Sequence, residues 1–227
     1  MLWKLIKLEL KKTRWRGLLL SAVVTILMLV LWVVGSDIPN NDVDSYDRAF
    51  QSIMNYVGIT FVIFASVLMS RMIIDEYRNK TVTILFVYPV PRNMIFAAKL
   101  VIIGVWTFLT VIIGHLVVSG ALLVANSHYH YIAEPLTRDR LWEEALRIII
   151  IAVIAAGLSL VPLFFGMLRK TMPALIISSF IISNSGMVVM NNDVLYQNLQ
   201  SMSILALVSV GFGSLMAYLG VRRSGEL

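Results

Sequence analysis

The chain has 227 residues, 59% of them apolar and only 14% charged, with a formal net charge of +6. Few soluble domains are so apolar, which moves the reading to an integral membrane protein and away from a nucleic-acid binder. There is no cysteine, so disulfides, cysteine-ligated metals and thiol catalysis are excluded.

Residues 1–16 predict a helix lying on the membrane surface. Lys4, Lys7, Lys11 and Arg14 recur at helical spacing as one basic stripe. Leu2, Leu5, Ile6 and Leu10 lie mostly away from it, and Trp3 and Trp15 suit the headgroup layer. Such a helix is drawn to anionic lipid by about 1 kcal/mol per basic residue near the surface. A basic flank that only fixes topology is the simpler alternative.

A membrane crossing needs about 20 mostly apolar residues. Six stretches qualify: 18–35, 53–74, 95–125, 145–168, 172–190 and 202–221. The first reads as an uncleaved span, because no small-x-small cleavage site follows it. The third is longer than one crossing needs, which calls for tilt or an interfacial start. The six use up most of the chain and leave no room for a sizeable soluble domain.

Residues 36–52 form an acidic connection with Asp37, Asp42, Asp44 and Asp47. They do not match a calcium-loop pattern and read as a solvated loop. The next connection, from Arg71 to Lys99, is charged at both ends and amphipathic in the middle. Residues 126–147 carry His128 and His130, but no third ligand follows at a recognisable metal spacing, so no metal site is expected. Leu141, Trp142, Ala145 and Leu146 point to a short interfacial helix leading into the fourth span.

Inside the spans the polar exceptions are His115, Asn184 and several serines. Membrane polar groups either glue helices together or line a pathway. His115 and Asn184 are the two candidates for the pathway. Pro162 should kink the fourth span, and Pro173 fits the first turn of the fifth. Ser209, Gly213 and Ala217 repeat every four residues, giving the last span one face for close helix contact.

Lysine and arginine sort by side. Fifteen fall at the amino end, between spans two and three, between spans four and five, and in the tail; only Arg48, Arg138, Arg140 and Arg147 fall on the other side. The positive-inside rule then places both termini in the cytoplasm of a cell (plasma) membrane protein. That makes the connection from Arg71 to Lys99 cytoplasmic.

Enzyme motifs are missing. There is no Gly-x-Ser-Gly and no His-Glu-x-x-His. Glu143-Glu144-Ala-Leu-Arg147 is one residue short of a prenyl-endopeptidase Glu-Glu-x-x-x-Arg, and one residue turns a helical side chain by about 100°. No phosphate loop Gly-x-x-x-x-Gly-Lys-Ser/Thr occurs, so this chain cannot hydrolyse ATP by itself. No catalytic residue is assigned.

The order of parts resembles the small six-span permease subunits of the ABC type-2 exporter superfamily, including those of bacterial peptide-antibiotic export and immunity. The residues that carry the likeness are Asp75-Glu76-Tyr77-Arg78-Asn79-Lys80-Thr81, then Tyr88-Pro89-Val90-Pro91-Arg92, then Lys99. Glu76, Thr81, Pro89, Arg92 and Lys99 stand where members tend to show an acid, a threonine, a proline, an arginine and a lysine. Asn79-Lys80 replaces a common glycine, and Pro91 a common serine. The connection between spans five and six is also shorter than in several relatives.

The resemblance implies an all-α membrane fold: one permease domain over 1–227, with an interfacial helix at 1–16 and a cytoplasmic coupling segment at 75–92. It implies docking in a cleft of a separate ABC ATPase subunit, two copies expected, which binds ATP and Mg while this chain holds no cofactor. Glu76, Arg78 and Lys80 would steer the encounter. The apolar face, drawn from Val82, Leu85, Phe86 and Tyr88, would supply the buried anchor in a segment that also holds Tyr77 and Thr81, and Pro89 and Pro91 would end the docking helix. The β-branched residues of 81–87 also fit the inward end of a span. A second permease, identical or similar, would complete the pathway. The alternatives are a membrane scaffold or sensor using the same inner loop, or an intramembrane enzyme.

Overall fold

A computed structural model describes residues 2–13, 15–37, 45–75, 92–130, 132, 137–169, 171–190 and 198–224. Among these the fold is all helical: α1 (Leu2–Lys12), α2 (Trp15–Trp32), α3 (Tyr46–Met69), α4 (Arg92–Tyr129), α5 (Arg138–Leu158), α6 (Pro162–Arg169), α7 (Met172–Met190) and α8 (Leu199–Ser224). Two π-helical turns, Val33–Asp37 and Ser70–Ile74, continue α2 and α3. Among the described residues five helical segments are long and apolar enough to cross a membrane, and Met172–Gly186 is a shorter apolar helix. The chain is a multi-pass membrane protein.

Helices α3, α4 and α5 form the centre. Helix α7 packs on α3 and α6, α8 on α5 and α6, and α1 and α2 on α4. The buried side chains fall into two clusters. One runs from Tyr46 and Phe50 through Val57 and Phe61 to Ile151; the other gathers Ile6, Leu68, Met72, Ile103, Leu163 and Leu175. Phe64 and Trp106 pack against both. At ~1.5 Å per residue, a helix as long as α4, with its 38 residues, extends well beyond a ~30 Å hydrocarbon layer. Tilt or protrusion follows, as its sequence required.

The connections are shorter than the sequence reading made them. Residues 46–52, read as loop, are helical, because Ser45 is extended and its side chain accepts from the Arg48 N–H while Asp47 sits in the first turn. Arg138 opens α5, which runs without a break into the fourth span, so Leu141 to Leu146 belong to that helix rather than to a separate interfacial one. Helix α4 stops at Tyr129 because His130 adopts φ 52°, and its N–H returns to the Asn126 carbonyl.

Pro162 breaks the fourth span into α5 and α6 across a turn at 159–161. Pro173 sits in the first turn of α7. The small-residue face of α8 is used. Ser209 and Ala217 are buried, and a Cβ on Gly213 would run into the Gly157 carbonyl of α5. A Cβ on Gly157 would lie 2.6 Å from backbone atoms of Ser209 and Val210. Backbone cannot rotate away, so Gly213→Ala should force α5 and α8 apart at a cost of about 2 kcal/mol. Thermal unfolding in detergent should show the loss; an unchanged midpoint would contradict this contact.

Candidate functional site

The segment singled out by sequence enters and leaves the bundle at one junction. Helix α3 ends in the π-helical turn Ser70–Ile74, where the Asp75 N–H reaches back five residues to the Ser70 carbonyl. Such turns concentrate at functional sites because they leave one carbonyl out of the regular ladder. Met72, Ile73 and Ile74 are buried there, so the turn is packed rather than frayed.

Lys99 closes the junction. It lies two turns into α4 and is 1% exposed. Its Nζ donates to the Met72 carbonyl at 2.7 Å and lies 3.7 Å from Glu9 Oε1 on α1. A buried ammonium in an apolar setting is costly unless it is paired and hydrogen-bonded. Here one cation ties together α1, the end of the second span and the start of the third. Trp15 adds to the tie: its indole N–H donates to the Leu10 carbonyl, and its ring lies 5.2 Å from that of Trp106.

Helix α1 turns its apolar side inward. Ile6 is buried, and Leu2, Leu5 and Leu10 pack against the same cluster as Met72 and Ile103. Trp3, Lys4, Lys7 and Lys11 are exposed, with the Lys7 ammonium 5.7 Å from the Trp3 ring centre. Glu76, Tyr77, Arg78, Lys80, Thr81, Leu85, Phe86 and Pro89 lie outside the described residues, as does Arg14. Arg92 is the first residue of α4.

A second polar cluster lies between α3, α4 and α5. His115 is fully buried; its Nδ1 is 3.1 Å from Ser119 Oγ, and its Nε2 is 3.6 Å from Glu144 Oε1. Arg147 lies one turn along α5 from Glu144, 3.7 Å away, and also reaches Glu143 at 3.4 Å and Asp47 at 3.9 Å. Glu143 and Asp47 are about half exposed while Glu144 and Arg147 are buried, so the cluster runs from the surface inward. Nearby, the Asn126 side chain donates to Tyr46 Oη at 2.8 Å and accepts the Ile132 N–H at 2.8 Å, pinning the adjoining ends of α3 and α4.

Asn184 does something simpler: its Nδ2 donates to the Phe180 carbonyl of its own helix at 3.0 Å. Of the serines, Ser179 crosses between helices, donating to Ser66 Oγ on α3 at 3.1 Å. An apolar groove of about 490 Å³ runs between α4, α5 and α8, lined by Phe96, Leu100, Gly104, Gly157, Val210 and Tyr218. Its volume falls in the range of small-molecule sites.

The sequence reading passed over Glu9, and it took Glu144 and Arg147 only as part of a failed enzyme motif and, for Arg147, as an outer charge. Glu9 falls in the apolar face of α1 defined by Leu2, Leu5 and Ile6, and an acid in such a face is a sign of a buried cation. Glu144 and Arg147 share a helix face with Ile148 and Ile151, which marks them as inward-facing.

The family model described as "ABC-2 family transporter protein" matches residues 5–186. A relative from Bacillus subtilis (strain 168), the uncharacterized protein YcbO, is 34% identical over 98% of both chains.

Proposed function

The chain belongs to the ABC-2 family of transporter proteins, and from that membership we propose that it is the membrane subunit of an ATP-binding-cassette exporter. Members of this family are transporter membrane components and are not themselves catalytic. In our reading the cargo is an amphipathic peptide or a lipid-like molecule, moved out of the cytoplasm. The apolar groove beside α4 and α8 is in keeping with such a cargo.

Energy comes from a separate ATPase subunit that binds ATP and Mg. The observation that carries the coupling proposal is the Lys99 junction. It holds the two helices that flank residues 76–91 to each other and to α1, so a force applied to that segment would move spans two and three together. Glu76, Arg78 and Lys80 would meet the ATPase at the rim, and Leu85 and Phe86 would be buried in its cleft. Both termini would be cytoplasmic in the plasma membrane, by the charge asymmetry. Two permeases, identical or similar, and two ATPase subunits would make the working complex.

Reversing the charges with Glu76→Arg and Arg78→Glu tests this. In vesicles holding the permease and its ATPase, cargo-stimulated ATP turnover should fall by about tenfold, on the order of 1.4 kcal/mol of lost coupling. Turnover equal to that of the unaltered complex would sink the coupling role.

A further inference from the structure

We propose that α1 docks on the headgroups of anionic phospholipids and reports leaflet charge to the inner end of the second span. The exposed side of α1 carries Lys4, Lys7 and Lys11. Glu9 is the one acid in residues 1–16 and points the other way, into its ion pair with Lys99. The outward face therefore shows positive charge with no acid of its own helix to offset it.

The same face shows Trp3 and Leu8, 67% and 64% exposed. Large apolar side chains among lysines fit a boundary of headgroups and acyl chains better than bulk water. An acidic protein would match the charge alone, whereas a lipid surface matches both features. The helix sits against α4, a membrane-spanning helix, which places it within reach of the leaflet.

A route inward is already built. Helix α1 bears Glu9, Glu9 pairs with Lys99, and Lys99 holds the Met72 carbonyl in the π-helical turn. Lipid that fixes α1 in place fixes Lys99 against Met72 and steadies the turn from which residues 76–91 depart. The regulatory half of this proposal rests on the permease reading; the docking half does not.

Amide hydrogen exchange on the full chain tests both halves, in nanodiscs of phosphatidylcholine alone and with phosphatidylglycerol added. Phosphatidylglycerol should slow exchange in α1 by about fivefold, a modest share of what three lysines near anionic lipid can supply. High salt should reverse the slowing. The triple variant Lys4→Gln/Lys7→Gln/Lys11→Gln, whose changes are all on the exposed face, should abolish it. Equal exchange in the two lipids, or a lipid effect that survives the triple variant, overturns the docking.

The turn Ser70–Ile74 should slow with α1 in the unaltered chain and stop responding in Glu9→Gln, which keeps the side-chain shape. An unchanged response in that variant overturns the route through Lys99. Neither readout involves an ATPase, so a failure of the transporter reading, seen as absent ATP coupling, is separately visible.

Discussion

Lys99→Met should destabilise the protein by about 3 kcal/mol, the scale for breaking a buried ion pair by removing one partner. Methionine fills a similar volume, so the loss is electrostatic rather than a cavity. Without the ammonium, the Glu9 carboxylate, whose side chain is 14% exposed, and the Met72 carbonyl both lose the cation they share. The double variant Glu9→Gln/Lys99→Met should be more stable than Lys99→Met, because it removes the stranded carboxylate. Thermal unfolding of the four members of the cycle reads this directly. Additive single effects would mean that the pair has no coupling energy. In the proposed complex with an ATPase, Lys99→Met should also cut cargo-stimulated ATP turnover by about tenfold or more, since the junction no longer ties α1 to the second and third spans.

Arg147→Met should be the most damaging change in the other polar cluster. One guanidinium there faces Asp47, Glu143 and Glu144. Its removal takes a cation away from Glu144, whose side chain is 6% exposed and lies beside the fully buried His115. The expected loss is again about 3 kcal/mol. Glu144→Gln should cost less, because the amide keeps the shape and removes the buried negative charge while Arg147 retains Asp47 and Glu143. Arg147→Lys should rescue only part, since an ammonium cannot span three carboxylates as a planar fork does. Unfolding midpoints that rank Glu144→Gln below Arg147→Met would contradict this order of roles.

Much of the architecture could be read from sequence because the membrane imposes length and polarity on every span. Apolar runs located the helices, Pro162 located the break in the fourth span, and the Ser209, Gly213, Ala217 repeat marked the face of α8 that the structure packs on α5. Helix ends were less legible. Residues 46–52 look like loop and 141–146 like a separate interfacial helix, yet both belong to the opening turns of α3 and α5, where Asp47 and Arg147 face each other.

The buried charges were legible only in part. Lys99 was found through the family pattern, but its partner Glu9 lies ninety residues away, and no spacing rule links them. Arg147 was counted as a charge outside the membrane because a tally by side ignores where on a helix a residue faces. Comparing Glu143–Arg147 with a protease motif asked about catalysis, whereas the informative fact was that Glu144 and Arg147 lie one turn apart on the inward face of α5.

The central claim is that residues 75–92 dock on a separate ATPase at the cytoplasmic face. Site-specific photo-crosslinking tests it in intact cells, with a benzophenone side chain placed at Phe86 or at Trp142, which the charge asymmetry would put outside. The account predicts a covalent adduct of this chain with a phosphate-loop ATPase from position 86 and none from position 142. An adduct from Trp142 but not from Phe86, or no ATPase adduct from either position, would contradict it.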